Sequence, residues 1–203
     1  MPYASRTGTR RNLDALRKAG WRLLVSARGV LRTEGFPYAL DNGAWTAFQR
    51  GEPFDVPAFK KAVSLLGRGA DWIVVPDKVA DAAESLRMAE EWVPRLRGIA
   101  PLLIAVQDGM TEDDIAHWLR EGCGVFLGGS TEWKLATMRH WGEVCRRYGA
   151  HYHVARVNSA KRIALAKEAG AMSIDGSSAS RFALSLPRLD GGIRQGAFAW
   201  EAA

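Results

Sequence analysis

Short, almost continuously apolar runs alternate along the chain with longer segments whose apolar positions recur at helical spacing. A run of this kind is typical of a parallel strand that is buried on both faces. The pattern predicts strands at residues 22–26, 38–41, 72–75, 102–106, 124–127, 152–157 and 172–175. A short strand at residues 2–5, ahead of the first helical segment, would bring the number to eight.

Residues typical of helix starts and stops separate these runs. Asp55 precedes a segment in which Phe59, Val63 and Leu66 share one face. Thr111 and Asp114 have the spacing of a capping pair. Further helices are predicted from Thr9 to Ala19, from Thr131 to Gly149 and from Asn158 to Gly170.

The alternation of strands and helices predicts an α/β fold, namely a compact (β/α)8 TIM-like barrel with minimal insertions. We expect residues 1–203 to form a single domain, because no internal repeat and no linker rich in Pro, Gly or Ser divides them. Barrels of this type usually have about 250 residues, so this chain is near the lower limit. An open doubly wound sheet is the alternative. The tail after Pro187 is predicted to be irregular.

The composition is that of a globular protein, with 47% hydrophobic and 25% charged residues, and it excludes a disordered chain or a collagen-like repeat. The net charge of +6 is concentrated at the start of the chain. Residues 1–35 contain eight basic and two acidic residues, whereas the rest of the chain is balanced. A local basic patch on a neutral body suggests a polyanionic partner, and a solvated helix face is the equally weighted alternative.

The N-terminal sequence shows no apolar signal segment, and no apolar run is long enough to cross a membrane. We therefore expect a cytoplasmic protein without a membrane partner. Cys123 and Cys145 are too few for a disulfide framework or a four-thiolate zinc site, and both are predicted to be buried thiols.

Polar residues stand where the predicted strands end, which is where the active site of a (β/α)8 barrel lies. One acidic residue at a strand end is often only a helix cap. Three acidic residues and a carboxamide that converge on one rim suggest chemistry, and paired carboxylates are the apparatus of glycosidic reactions. The strand-end residues are Ser26, Asp41, Asp77, Gln107, Gly128, Gly129, Arg156, Asn158 and Asp175.

Other chemistries have weaker support in the sequence. His151 and His153 flank Tyr152 without a matching carboxylate set, so we predict no metal and no cofactor. No lysine ends a strand as a Schiff-base aldolase would require, and Lys78 is the nearest candidate. The Gly128-Gly129 pair could approach a phosphate, which keeps a phosphate-binding lyase or aldolase as an alternative.

Five strand-end segments together resemble one known family. They are Leu40-Asp41-Asn42-Gly43-Ala44-Trp45, Val75-Pro76-Asp77, Ala105-Val106-Gln107-Asp108-Gly109, Phe126-Leu127-Gly128-Gly129-Ser130 and Ser173-Ile174-Asp175. Their order and content resemble the tRNA-guanine transglycosylase superfamily, most of all its DNA-guanine transglycosylases, which place 7-deazaguanines in phage and bacterial DNA. The resemblance covers roughly residues 22–182.

The resemblance implies a role for each matching residue. Asp175 matches the nucleophile that attacks C1′ of the target nucleotide and forms a covalent aspartyl-glycosyl intermediate. Asp41 matches the general acid/base for the departing and the incoming base. Asp77 matches the residue that binds the N1/N2 edge of the base, and Gln107 and the backbone of Gly129 match the contacts to its O6. Free 7-deazaguanine base would be the second substrate.

Further residues complete the predicted site. Gly128, Ser26 and Trp45 are expected at the base pocket. Trp45 could stack on a base or pack in the core, whereas Phe48 is predicted to be a core residue. A flipped or single-stranded guanine of DNA would be held by basic residues of the rim. Those residues are Arg6, Arg10, Arg11, Arg156, Lys161, Arg162 and Arg181.

The sequence departs from the tRNA-modifying branch because it has no Cys-x-x-Cys zinc motif and no room for an RNA-binding appendage. We therefore expect DNA modification, in the host cytoplasm if the protein is encoded by a phage. A tRNA-guanine transglycosylase and a non-catalytic nucleic-acid-binding barrel are kept as alternatives. A homodimer is compatible with the resemblance, since the tRNA-modifying relatives are dimers.

Overall fold

The computed structural model describes residues 1–7, 9–181 and 185–195. Within them, eight parallel strands close into a barrel in which each strand pairs with the next one along the chain and the last pairs with the first. This arrangement confirms the predicted (β/α)8 barrel and excludes the open sheet. The strands are β1 (Pro2–Ser5), β2 (Arg22–Ser26), β3 (Tyr38–Asp41), β4 (Ile73–Val74), β5 (Leu102–Val106), β6 (Gly124–Leu127), β7 (Tyr152–Val154) and β8 (Ser173–Gly176).

Helices follow most of the strands and lie on the outside of the barrel. They are α1 (Arg10–Lys18), α2 (Ala44–Gln49), α3 (Val56–Leu66), α4 (Ala82–Leu96), α5 (Glu112–Arg120), α6 (Thr131–Tyr148), α7 (Ala160–Glu168), α8 (Ser178–Arg181) and α9 (Leu186–Gln195). The connection from β2 to β3, residues 27–37, contains no helix. None of the described helices is long and apolar enough to cross a membrane.

The predicted caps are found with one exception. The Asp55 carboxylate accepts a hydrogen bond from the Ala58 amide at 3.0 Å, and Thr111 and Asp114 form a capping box. The helix predicted to open at Asn158 is capped instead by Ser159.

Two predictions of secondary structure are wrong by three or more residues. The tail after Pro187 is not irregular where it is described, because it forms α9. Proline is tolerated in the first turn of a helix, where its missing N–H has no helical partner, and the buried Leu186 and Leu189 fasten this helix to the body. The strand predicted to run to Val157 ends at Val154, and the residues that follow form the rim loop.

The apolar residues divide into two sets because side chains of a strand alternate between the two faces of the sheet. The larger set packs between barrel and helices and includes Leu23, Val25 and Leu40. The smaller set, with Leu24 and Ala39 from the same strands, fills the barrel interior. The alternation therefore turns the last residues of β2 and β3 inward, and these carry polar groups. The predicted core positions of Trp21, Trp72, Trp92, Trp118, Trp141, Cys123 and Cys145 are confirmed.

Candidate active site

A pocket of about 590 Å³ opens at the carboxyl ends of the strands. That volume is within the range of small-molecule sites. The residues predicted to act on or bind substrate all line it: Ser26, Asp41, Trp45, Asp77, Gln107, Gly128, Gly129 and Asp175. The barrel explains the convergence, because all of these residues lie within, or soon after, the carboxyl-terminal ends of its strands, and those ends form one rim.

The Asp175 carboxylate has one fixed oxygen and one open oxygen. Its Oδ1 accepts hydrogen bonds from the ring Nε2 of His153 at 3.0 Å and from the backbone N–H of Arg156 at 3.2 Å. Its Oδ2 has no hydrogen-bond partner among the described residues. Although Asp175 is only 6% exposed, it lines the pocket, so Oδ2 is the oxygen available to a ligand.

Asp77 lies in a cradle of carboxamides. Asn42 Nδ2 donates to its Oδ1 at 2.7 Å, and Gln107 Nε2 donates to its Oδ2 at 2.7 Å. Burial raises the pKa of Asp77 to about 6, while these two donors act in the opposite direction. Each carboxylate oxygen retains a second lone pair, so the group can still accept two parallel N–H donors from a ligand.

The glycine pair after β6 makes room for the Gln107 side chain, because a Cβ on Gly128 would lie 3.0 Å from Gln107 Nε2. Gly129 has φ +68°, and a Cβ on it would lie 2.5 Å from Asp108 Oδ1 and 2.6 Å from the Trp133 ring, so any side chain here would be strained. Its amide donates to Gln107 Oε1 at 3.2 Å. The Gly129 N–H predicted to bind the base is therefore engaged by Gln107 in this structure, and the same engagement disfavours a phosphate site at Gly128-Gly129.

Asp41 is the last residue of β3 and lines the pocket. Its Oδ2 accepts the Gly43 amide at 3.2 Å, and Ser26 is its register partner on the neighbouring strand. Burial raises the pKa of Asp41 to about 6, and the nearby charges of Asp175 and Asp77 add to the increase. A carboxyl with a pKa near neutrality can both donate and accept a proton at physiological pH.

Arg156 crosses the mouth of the pocket. Its guanidinium stands 4.2 Å from the centroid of the Trp45 ring and donates to the carbonyl of Gly129. The residue has φ +57°, which is a costly conformation for a non-glycine residue and is typical of functional loops. Arg156 thereby links the loops after β6 and β7 to α2.

The other basic residues are spread around the rim. Arg6 lines the pocket and is ion-paired with Glu34 at 2.5 Å. Arg10 and Arg11, on α1, are exposed, as is Lys161 on α7, and the neighbouring Arg162 is half-buried. None of these four is among the residues that line the pocket. The side chain of Arg181 lies outside the described part of the chain.

An aromatic pair stands beside the pocket. Trp45 and Phe48 are stacked with ring centroids 5.7 Å apart, and they are 38% and 51% exposed. The prediction that Phe48 is a core residue is wrong, because the six-residue helix α2 turns both rings outward.

Four buried polar residues near the acids were not identified as site residues from the sequence. Asn42 was noted only as part of a segment, yet it holds Asp77 and accepts the Ala44 amide at 2.8 Å. His153 and Ser173 lie behind Asp175, and the signal that could have found them is the period of two along β7 and β8. Lys134 is 3% exposed and donates to the Ala155 carbonyl at 2.6 Å. Burial lowers the pKa of Lys134 to about 7, but the residue does not line the pocket.

Among the described residues, no group of three or more His, Cys, Asp and Glu side chains is arranged to hold a metal ion. Comparison with models of known protein families finds no match to the chain, and comparison with curated proteins finds no significantly similar sequence.

Proposed function

We propose that the protein is a base-exchange glycosyltransferase that replaces guanine in DNA with a 7-deazaguanine derivative. The observation that carries the proposal is that three carboxylates of one pocket differ in their hydrogen-bond partners and in their ionisation. Asp175 has a free oxygen, and Asp77 is held by two side-chain carboxamides. Asp41 has a pKa near 6 and accepts a hydrogen bond from the backbone amide of Gly43. These are the three environments that nucleophile, acid/base and base-recognition roles require.

In the first half of the reaction, Asp175 Oδ2 attacks C1′ of the target nucleotide. The C1′–N9 bond breaks, its electron pair leaves with guanine, and the protonated Asp41 supplies the proton that the departing base takes up. The sugar is then esterified to Asp175. A carboxylate nucleophile divides one difficult displacement into two easier ones.

The second half reverses these steps with a different base. The Asp41 carboxylate accepts the N9 proton of the incoming 7-deazaguanine, N9 attacks C1′, and the Asp175 carboxylate leaves. The same acid/base group serves both halves because its pKa of about 6 allows both protonation states near neutral pH.

Recognition of the base is assigned to Asp77. Guanine and 7-deazaguanine present N1–H and N2–H side by side, which is the donor pair that a carboxylate binds with two parallel hydrogen bonds. Asn42 and Gln107 hold the carboxylate in orientation without using its remaining lone pairs. Adenine has a ring nitrogen acceptor in place of N1–H, and the lone pair of that nitrogen would repel the carboxylate oxygen.

The DNA substrate would be held by residues at the carboxyl-terminal rim of the barrel. A target base inside a duplex cannot reach a buried carboxylate, so it must be flipped out or single-stranded. Arg10, Arg11 and Lys161 are exposed cations suited to phosphates. The exposed Trp45–Phe48 pair offers π-faces on which neighbouring bases can stack.

Two competing functions have less support. A phosphate-binding lyase or aldolase would need free amides at Gly128-Gly129, whereas the Gly129 amide is bound to Gln107. In a non-catalytic nucleic-acid-binding barrel, the three buried acids would weaken the binding of a polyanion and would have no function that compensates for this cost.

The test is incorporation of radiolabelled guanine into double-stranded DNA, single-stranded DNA and tRNA, followed by acid precipitation. We expect label in DNA and a covalent protein–DNA adduct on denaturing gels. Asp175→Asn should abolish both while DNA binding is kept, and Asp113→Asn, on the exposed face of α5, is the matched control. Label in tRNA alone would show that the substrate is tRNA and not DNA. Guanine exchange by the Asp175→Asn variant would refute Asp175 as the nucleophile.

A further inference from the structure

A line of hydrogen-bonded side chains runs through the barrel interior and ends on Asp175. His151 Nε2 lies 2.6 Å from Ser173 Oγ, and Ser173 Oγ lies 2.8 Å from His153 Nδ1. His153 Nε2 then lies 3.0 Å from Asp175 Oδ1. The alternation of side chains along β7 and β8 produces this line, because all four residues occupy inward positions.

The chemistry of the four groups permits one direction of donation. An ionised Asp175 only accepts, so His153 Nε2 must carry a proton. A neutral imidazole then has an unprotonated Nδ1, which accepts from the Ser173 hydroxyl. The Ser173 oxygen in turn accepts from His151 Nε2–H. Every donor therefore points toward Asp175, and successive hydrogen bonds of this kind reinforce one another.

The surroundings keep His153 neutral and immobile. It is completely buried, its ring is stacked on Phe126 with centroids 4.9 Å apart, and Trp72 packs against it at 4.7 Å. Burial lowers the pKa of His153, although the hydrogen bond to Asp175 acts in the opposite direction. Burial also lowers the pKa of His151, to about 4, so the whole line is uncharged up to the carboxylate at neutral pH.

The charged groups around the end of the line come from four elements. Asp175 is faced by His153 from β7, by Arg156 from the following loop, by Lys134 from α6 and by Asp41 from β3. The N-terminal amine and Lys134 also influence His153. Among them, only His153 and the Arg156 backbone N–H donate a hydrogen bond to the Asp175 side chain within the described residues.

We propose that His153 is a positioning residue that fixes Oδ1 of Asp175 and so reserves Oδ2 as the reacting oxygen. The inference rests on the proposed base exchange for its consequence and on the hydrogen-bond line for its geometry. Ser173 and His151 support it by fixing the tautomer of His153, as outer partners fix the ring of a metal-ligating histidine.

The same contact serves both halves of the exchange. When Oδ2 bonds to C1′, the Asp175 carboxylate becomes an ester and Oδ1 becomes its carbonyl oxygen, which still accepts from His153. When the incoming N9 attacks C1′, the C1′–Oδ2 bond breaks and the electron pair returns to the carboxylate. The His153 N–H then stabilises the charge that develops on the leaving group, and no proton is transferred to or from the ring.

The first experiment is nitrogen-15 NMR of the histidine rings between pH 5 and 8, in the wild-type protein and in Ser173→Ala. We expect His153 to be neutral with the proton on Nε2 at pH 7 and above in the wild type, and to be a mixture of tautomers in Ser173→Ala. A proton on Nδ1 in the wild type would overturn the inference, whether or not the protein exchanges bases.

The second experiment is the exchange assay with two variants of His153. His153→Phe keeps the ring and its stacking but has no donor, and we expect kcat to fall by about 10- to 100-fold with little change in KM for the free base. The acidic limb of its pH profile should move to higher pH, which a loss of packing alone would not cause. His153→Gln offers an Nε2 donor at a similar reach and should recover most of the rate.

The outcomes separate the two proposals. Exchange by His153→Phe with the rate and pH profile of the wild type would refute the positioning role and leave base exchange standing. If the wild-type protein has the expected tautomer but exchanges bases in no nucleic acid, the proposed function is refuted. The hydrogen bond from His153 Nε2 to Asp175 Oδ1 is established all the same. Thermal unfolding of both variants identifies a rate loss that comes from misfolding.

Discussion

Replacing Asp41 by asparagine should make the protein more stable at neutral pH while it removes the proposed acid/base group. The asparagine side chain would keep an oxygen for the Gly43 amide, which donates to Asp41 in the structure. It would not carry the charge that burial and the neighbouring Asp175 and Asp77 disfavour. The substitution therefore tests directly whether the pocket stores unfavourable electrostatic free energy.

The magnitude follows from the shift in ionisation. Burial raises the pKa of Asp41 from its ordinary 3.8 to about 6. Such a difference corresponds to at most about 3 kcal/mol of unfolding free energy at pH 7. Because Asp41 is partly exposed, solvent screening reduces this value, and we expect a gain of about 1–2 kcal/mol.

The pH dependence has a defined sign. Between about pH 4 and 6 the folded protein binds a proton at Asp41 that the unfolded chain has released, so the wild type becomes less stable as the pH rises through this window. Asparagine does not titrate. The advantage of Asp41→Asn should be complete above about pH 7 and vanish near pH 4.

Urea unfolding at several pH values between 4 and 8 measures the difference. Asp14→Asn, an exposed carboxylate on α1, is the control and should shift stability by less than about 0.5 kcal/mol throughout. An Asp41→Asn protein that is less stable than the wild type at pH 7, or whose advantage does not change with pH, would refute the reasoning.

Two further predictions concern buried positions of α6. A Cβ on Gly142 would lie 1.8 Å from the Ala169 carbonyl oxygen, so Gly142→Ala should cost more than about 2 kcal/mol in thermal or urea unfolding. Gly191→Ala, with open space around its Cβ, should cost nothing, and equal effects would contradict this account. Burial lowers the pKa of Lys134 from 10.5 to about 7, so the wild type should gain stability relative to Lys134→Met as the pH rises from 7 to 10. A pH-independent difference between the two would show that Lys134 remains charged in the folded protein.

The fold was predictable because its signals are local and repeated. Five of the strands, those at residues 2–5, 22–26, 38–41, 102–106 and 124–127, have the bounds expected from the apolar runs. Errors arose where tertiary contacts override a local signal. Pro187 and the glycines after it suggest a loop, yet the burial of Leu186 and Leu189 stabilises α9.

The position of the site was predictable for a geometric reason. In a barrel of parallel strands, all carboxyl ends lie on one rim, so a polar residue at each strand end necessarily joins a common pocket. The convergence of Asp41, Asp77 and Asp175 on one pocket could therefore be predicted from the sequence alone. It could not show that Phe48 is exposed, because a six-residue helix has too few turns to define an apolar face.

Spacing along the chain was enough to predict the strands and the set of acids that face the mouth of the barrel. The tertiary structure decided that the sheet closes, since an open doubly wound sheet was the alternative. The environment of each acid, in contrast, became visible only in the folded arrangement. Asn42 and Gln107 surround Asp77, and His153 holds one oxygen of Asp175, through contacts between residues 22 to 35 positions apart. Ionisation and orientation depend on burial and on partners from other strands, and the linear order of residues does not encode those distances locally.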